Sequence, residues 1–247
     1  MTPTRPIPTI QPCDVLALAA HRDDNEITCG GLLIQCVDRG HRVACAELTA
    51  GERGSSGDAE TRRIESEAAS KIMGLVDRVN FGWPDAAVEV TQSNKLAIAT
   101  LIRQARPHLL ILMNPVQRHP DHAAASQLGW DAAFLAGLLR IDLDGLPPHR
   151  PAKVLYPCFN SSNATSFIVD IGEQFERKRL AVHAYDTQVG PESHIMKARR
   201  GTNTITEIIE LQARWWGSQI GVRYGEGYMQ KESVQIMDVM TLPVKSI

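Results

Sequence analysis

Two short apolar runs, each ending abruptly in a cluster of histidines and carboxylates, constrain this chain more than any other feature. Asp14-Val-Leu-Ala-Leu-Ala-Ala20 and His108-Leu-Leu-Ile-Leu-Met113 are apolar throughout after their first residue. Such a run, with no polar alternation, suits a strand buried on both faces of a parallel sheet. The first gives way to His21-Arg-Asp-Asp-Asn-Glu26, with Gly30 and Gly31 beyond it. The second gives way to Asn114-Pro-Val-Gln-Arg-His-Pro-Asp-His122. Open parallel sheets build their sites at the carboxyl ends of their strands, so two such clusters are expected to share one site.

The intervening segments alternate in the same sense. Helical spacing runs from Thr28 to Arg39 with Gly40 as terminator, and Arg42 to Thr49 reads as a second strand. A glycine-rich loop, Gly51 to Gly57, precedes an amphipathic helix over 59–73. A short strand over Arg78–Gly82 and a helix over 92–106, stopped by Pro107, come next. The helix from Pro120 to about Leu139 begins with a proline where its missing N–H costs nothing. The proline-rich stretch Leu146–Pro151 is the best linker candidate. Strands at Lys153–Tyr156 and Phe167–Asp170 and helices at 172–184 and 203–219 complete the chain. The pattern predicts an α/β fold: a Rossmann-like, mostly parallel sheet flanked by helices, with a small C-terminal elaboration. Residues 1–247 are read as a single domain.

Composition narrows the function classes. Lys and Arg total 26 against 28 Asp and Glu, a net charge of -2, so the chain lacks the sustained positive field of a nucleic-acid or membrane-surface binder. The local run Lys197-Ala-Arg-Arg200 reads as a solvated helix face or a contact for a small anion. The N-terminus carries no apolar signal region, no run is long enough to span a bilayer, and a cytoplasmic protein is expected. The cysteines number five and include no CxxC pair, which argues against a disulfide framework and a zinc ribbon. On that reading the glycosylation sequons at Asn160 and Asn163 carry no meaning.

The clusters carry the chemistry. Zinc accepts imidazole nitrogen and carboxylate oxygen, and a catalytic site keeps three protein ligands and one open position. His21 and Asp24 from one turn and His122 from the next strand end supply that set, which iron also accepts. Asp23, adjacent to Asp24, is placed to act as general base towards a water whose pKa the metal brings to about 7. His119 lies one helical turn before His122; protonated, it would stabilise an oxyanion or give a proton to a leaving amine, with Asp121 orienting its ring. Arg118 suits either an anionic substrate group or a nearby carboxylate. A single His–Asp pair after a strand is commonly just a helix cap. Two such clusters at two strand ends are harder to read that way, and a structural zinc site would be cysteine-rich and closed.

His21-Arg-Asp-Asp-Asn-Glu26 with Gly30-Gly31 resembles the AHxDDxE…GG signature of the LmbE/PIG-L-like zinc deacetylases, and His119-Pro-Asp-His122 resembles their HPDH. Leu48–Glu52, Arg62, Ile72–Gly74, Ala184–Gln188 and Gly221–Gly227 extend the resemblance over nearly the whole chain. It implies metal ligands at His21, Asp24 and His122, a base at Asp23 and a histidine–aspartate pair at His119 and Asp121. It also implies a substrate-contacting Arg62 and an oxyanion-supporting Tyr224. Tyr224 lies in the glycine-rich loop Tyr-Gly-Glu-Gly, where binding and ordinary packing are equally good readings. The resemblance is greatest to the bacillithiol-pathway members, which deacetylate N-acetylglucosaminyl malate, and implies a homo-oligomer, hexameric or trimeric. Arg22 and Asn25 depart from the usual residues at their positions and bear on substrate preference, Arg22 by setting a cation beside the site.

The sequence contains no GxGxxG after a strand, no Walker motif and no GxSxG elbow. Gly51-x-x-Gly54-x-x-Gly57 is read as a flexible rim of a sugar pocket, and Trp215-Trp216 as core or interface packing. The expected reaction is hydrolysis of an N-acetylglucosamine-type acetamide. The alternatives are the same reaction on a chitooligosaccharide, a mycothiol precursor or an antibiotic pseudosaccharide, and a silent sugar- or nucleotide-binding module.

Overall fold

The computed structural model describes residues 6–54, 56–159, 165–190, 193 and 204–244. The Lys197–Arg200 run and both sequons lie outside them. Among the described residues the strands β1 (Val15–Ala19), β2 (Val43–Thr49), β3 (Asp77–Trp83), β4 (Leu109–Leu112), β5 (Lys153–Pro157), β6 (Phe167–Asp170) and β7 (Gly225–Met229) form one sheet. Its order is β3-β2-β1-β4-β5-β7-β6. The first five strands run parallel, and β7 pairs antiparallel with both β5 and β6. The helices are α1 (Asp24–Asp38), α2 (Ala59–Met73), α3 (Gln92–Ala105), α4 (Pro120–Ala136), α5 (Phe175–His183), α6 (Asp186–Val189) and α7 (Ile205–Ile220).

The expected α/β fold is present, with a seven-stranded, mostly parallel sheet flanked by helices. Strand β1 shows why its sequence is continuously apolar. Leu16 and Leu18 face the layer containing Ile98, Leu101 and Leu128 of α3 and α4. Val15 and Ala17 face the opposite layer, against Leu33 of α1 and Ala69 and Met73 of α2. Both faces are covered, so neither tolerates a polar residue. Strand order reverses at β1, which pairs with β2 on one side and β4 on the other. A crevice therefore opens between the loops leaving β1 and β4.

Three boundaries differ from expectation. Helix α1 begins at Asp24, four residues before Thr28, so the polar cluster is itself the helix N-terminus. The proline-rich 146–151 stretch is a connection inside the fold: Leu146 O accepts from Arg103, His149 N–H donates to Ala136 O, and β5 then joins β4. Tyr-Gly-Glu-Gly is no loop, since Gly225 to Met229 form β7, between β5 and β6. Glycine is needed there because α7 lies directly over the strand. A Cβ on Gly227 would fall 2.7 Å from the Trp216 ring, and one on Gly225 would fall 2.8 Å from Ile168. Glycine spacing suggests a loop, but here it marks close helix–strand approach.

Two expectations follow. Gly227→Ala overpacks the Trp216 contact and lowers unfolding stability by about 1–3 kcal/mol in urea titration, leaving metal binding intact. Glu47, wholly buried in β2, is pushed by burial from its ordinary 4.5 to about 7, against the opposing charge of Arg78. The native state then keeps a proton that the unfolded chain has released, so this contribution to stability is present below pH 4.5 and lost as pH rises through about 7. The melting temperature of Glu47→Gln relative to the parent should climb steadily from acid to neutral pH; a constant difference would refute the assignment.

Candidate metal centre

Both loops of the crevice end as helix N-termini that hold their side chains in place. At α1 the N-cap is Asp23, yet its carboxylate makes no capping bond. Asp24, the first helical residue, instead turns Oδ2 back onto the His21 backbone N–H at 2.8 Å, where the helix dipole favours negative charge. At α4, His119 is the N-cap, and its Nδ1 accepts the Asp121 N–H at 3.2 Å. Pro120 starts the helix, which carries His122 back over the crevice.

Three donors converge. His21 Nδ1 lies 3.2 Å from His122 Nε2 and 3.3 Å from Asp24 Oδ2, and His122 Nε2 lies 3.2 Å from Asp24 Oδ1. Zinc bonds of about 2.0–2.1 Å in tetrahedral geometry put neighbouring ligand atoms roughly 3.3 Å apart. The donor set thus fits a divalent cation in both chemistry and spacing. The electrostatics agree. Burial alone lowers the His21 imidazole, but hydrogen bonding and charge from Asp24, with Asp85 assisting, lift it to about 11. Burial likewise raises Asp24, and the charges and hydrogen bonds of His122 and His21 outweigh that and hold it well below the usual carboxylate range. The cluster attracts positive charge.

The other face of His21 is held by a residue the sequence reading missed. His21 Nε2 lies 3.1 Å from Asp85 Oδ1, just past the end of β3. The His21 hydrogen bond, against burial, brings Asp85 down to about 2. Asp85 Oδ2 accepts the Arg53 N–H at 2.9 Å, and the Asp85 N–H donates to Glu52 at 2.9 Å. Asp121 serves this same strap rather than the His119 ring. Its carboxylate accepts the Ala86 N–H at 2.8 Å and the Val88 N–H at 3.3 Å, and approaches His21 Nε2 at 3.6 Å. With Nδ1 accepting from the backbone, neutral His119 carries its proton on Nε2. Burial, then the charges of His21 and His122, keep its pKa below the ordinary value. The structure thus presents His119 as a neutral donor, where the sequence reading had a protonated ring oriented by Asp121.

A cavity of about 390 Å³ opens over this centre, lined by His21, Asp23, Asp24, Arg62, Asp85 and His119 among others. Buried Arg62 holds Asp23 Oδ1 at 3.1 Å and donates to Gly51 O at 3.3 Å. Gly51, at φ 71°, leaves the space the guanidinium fills. Gly54 also lines the cavity, so the glycine-rich segment does form its rim. Gln188 and Arg53 line it too, from the Ala184–Gln188 and Gly51–Gly57 segments, in which neither residue had been given a role of its own. Asp85 escaped notice because β3 is only half buried and polar in sequence, so its end is not announced by an apolar run.

Other expected residues are not brought here. Tyr224 stacks on Phe175 with ring centroids 3.8 Å apart, and its hydroxyl reaches Glu210 of α7 at 3.4 Å. As part of the turn into β7 it belongs to the small core beneath α5 and α7. Arg118 is exposed and does not line the cavity. Arg22 points away from the cavity and donates to Ser66 of α2 at 3.0 Å. Trp216 is buried beside β7 while Trp215 is exposed, consistent with packing.

Comparison with known proteins places the chain among relatives. The PIG-L family profile, GlcNAc-PI de-N-acetylase, matches residues 16–133, which hold both clusters. Diacetylchitobiose deacetylase of Thermococcus kodakarensis is 31% identical over 234 residues, covering 86% of this chain and 81% of that protein. The crystal structure of a conserved protein from Thermus thermophilus superimposes with a TM-score of 0.82 at 34% identity, over 91% of this chain and 97% of that one. The 4-carboxy-2-hydroxymuconate hydratase of Pseudomonas putida superimposes with a TM-score of 0.76 at 18% identity, over 93% and 100%. That last likeness is one of fold alone, so the fold by itself does not select a reaction.

Zinc added to metal-free protein at one hundred times its dissociation constant should raise unfolding stability by about 2.7 kcal/mol, seen as a higher melting temperature. His122→Ala should abolish the rise. Asp85→Asn should weaken zinc binding about 10–100-fold in chelator competition, since it removes the carboxylate behind a ligand imidazole. Unchanged affinity would show that His21 needs no such support.

Proposed function

The chain belongs to the PIG-L family of deacetylases, and on that premise we propose that it hydrolyses the acetamide of an N-acetylglucosamine-type glycoside to free amine and acetate. The observation that carries this reading is the convergence of His21, Asp24 and His122 at mutual spacings of 3.2–3.3 Å, with Asp23 on the wall of the same cavity. A divalent cation held by those three residues, zinc or iron, supplies Lewis-acid polarisation and lowers the pKa of water towards neutrality.

The remaining steps fall to the chain's own groups. Asp23 is free of capping duty, and Arg62 fixes one of its oxygens, so the carboxylate is oriented without being consumed. Its Oδ2, unpartnered among the described residues, takes the proton of the attacking water. The Nε2–H of neutral His119 donates to the developing oxyanion, the role the resemblance had given to Tyr224. The proton held by Asp23 is then available to the departing nitrogen. Arg62 acts on the base, and any contact it makes with the sugar is additional.

The aglycone follows from charge. Arg53 lines the cavity and Arg118 stands exposed next to His119, and neither forms an ion pair among the described residues. Arg53, a cation on the cavity wall with no ion pair among the described residues, favours an anionic aglycone such as malate, with Arg118 exposed outside the cavity. The neutral disaccharide is the competing acceptor, favoured by the Thermococcus relative.

The test is an amine-release assay, with defined metal, on N-acetylglucosaminyl malate, diacetylchitobiose and an N-acetylglucosaminyl inositol. The malate glycoside should be turned over best, and Arg53→Ala should raise its KM while sparing the disaccharide. Asp23→Asn should keep its metal and lose about 10²–10⁴-fold in kcat. Turnover of esters or peptides with no sugar deacetylated would sink the proposal, and an Asp23→Asn protein working at the parent rate would remove the base.

A further inference from the structure

Asp23 stands where a residue is expected to cap a helix, and it does not cap. An aspartate at an N-cap ordinarily takes an extended backbone that swings its carboxylate onto the N–H groups of the first turn. Asp23 instead has φ -97° and ψ -11°, already helical, and its side chain makes no capping bond. The carboxylate is left to Arg62 and the cavity. Capping would satisfy N–H groups that the start of a helix leaves open, so something has to hold the backbone in the other conformation.

Both peptides that flank Asp23 are pinned. On one side the Asp23 carbonyl accepts the Ile27 N–H at 3.1 Å. On the other the Arg22 carbonyl accepts the hydroxyl of Tyr185, a residue 163 positions further along the chain. The peptide plane that carries the Arg22 carbonyl also carries the Asp23 N–H, so fixing one orients the other. The hydroxyl has an anchor of its own. Tyr185 is wholly buried at the start of α6, and its oxygen accepts from Arg78 of β3 at 2.7 Å. Arg78 also donates to the Ser66 carbonyl of α2 at 3.0 Å, pairs with Glu26 of α1 and lies 3.3 Å from Glu47 of β2. Three elements beneath the crevice therefore hold the guanidinium that holds the hydroxyl. Burial, with the charge of Glu26, raises the Tyr185 hydroxyl well above its ordinary range, so it keeps its proton and acts as the donor. Accepting from a cation makes that donor stronger. Apolar side chains of similar volume often fold at least as stably as a buried charge layer, so stability alone does not account for this one.

We infer that Tyr185 is a positioning residue for the reaction: backed by Arg78, its hydroxyl holds the Arg22–Asp23 peptide in the orientation that keeps the Asp23 carboxylate off the helix start and in the cavity. Two supports then divide the work. Arg62 fixes one carboxylate oxygen, and Tyr185 fixes the backbone from which that carboxylate hangs. Tyr185 does not line the cavity, so it acts through Asp23 and not on the substrate. The inference rests on the reading of Asp23 as general base.

Tyr185→Phe removes one oxygen and keeps the ring. With rates on diacetylchitobiose and N-acetylglucosaminyl malate normalised to bound zinc, kcat should fall about 10–10²-fold, the scale of a misplaced reacting group, while KM and zinc affinity stay at the parent values. A purely structural role lowers the melting temperature and the number of zinc-loaded sites, but not the turnover of each. In an Asp23→Asn background the Tyr185→Phe change should cost no further rate, because the two changes act through one group. Independently of turnover, amide hydrogen exchange of the metal-free protein should quicken over residues 21–27 and not over β4 or α4. Should Tyr185→Phe fold poorly, Arg78→Lys keeps a cation opposite Glu26 and Glu47, takes away the arm that reaches the hydroxyl, and should give the same pattern at smaller size. Parent turnover per zinc in Tyr185→Phe, or a full further loss in the Asp23→Asn background, would overturn the inference. If Asp23→Asn itself works at the parent rate, the base reading fails and takes this inference with it, an outcome the cycle separates from the failure of Tyr185 alone.

Discussion

Two imidazole nitrogens and a carboxylate stand 3.2–3.3 Å from one another at the foot of the crevice, and that crowding is stable only with positive charge among them. Much of the surrounding structure serves to sustain it. Reversal of strand order at β1 brings two loops together that are about a hundred residues apart in sequence. Each loop becomes a helix N-terminus, which favours the negative charge of Asp24 at the start of α1 and, at the start of α4, leaves the Asp121 N–H to orient His119. Behind them, Asp85 and Asp121 add negative charge on the far side of His21.

A second layer of charge lies beneath the first. Tyr185 donates its hydroxyl to the Arg22 carbonyl, in the peptide that leads into Asp23. Arg78 donates to that same hydroxyl at 2.7 Å and pairs with Glu26 and Glu47 below. Arg22 therefore does not sit in the cavity as a substrate cation. It forms part of the floor on which the Asp23 loop rests, its guanidinium turned to Ser66. Arg62 completes this support from the other side through Asp23 and Gly51. The proposed base role of Asp23 would call for such bracing, because proton transfer depends on a geometry held to a fraction of an ångström.

The sequence made the centre and the first half of the fold legible for one reason: buried parallel strands write themselves as unbroken apolar runs, and the clusters follow immediately. His21, Asp24 and His122 meet because both runs end at the same edge of the sheet. Where a strand lacks that signature the reading fails. β3 is half buried, so Asp85 at its end passed unnoticed, and β7 is built from glycines that looked like a loop. That second misreading carried Tyr224 with it, since a tyrosine in a binding loop and one stacked on Phe175 in a small core are indistinguishable until the glycines are seen to sit under Trp216. Asp121 went astray differently. Its spacing from His119 suggested a pair, but orientation at a helix N-terminus sends its carboxylate to the Ala86 and Val88 amides instead.

The likeness of this fold to a hydratase shows that the sheet and the crevice alone do not choose a reaction. What biases this chain towards amide hydrolysis is local. Asp23 is a carboxylate at an N-cap that declines to cap, kept available by Arg62 beside a centre suited to a Lewis acid. On the proposed reading substrate choice falls to parts further out, where Arg53 and Gly54 come from the segment after β2 and Gln188 from α6. These rim residues stand on connections rather than on the sheet, so they are free to vary without disturbing the donors. The chemistry is thus held by strand ends and helix termini, which topology fixes, and the specificity by loops, which topology leaves open.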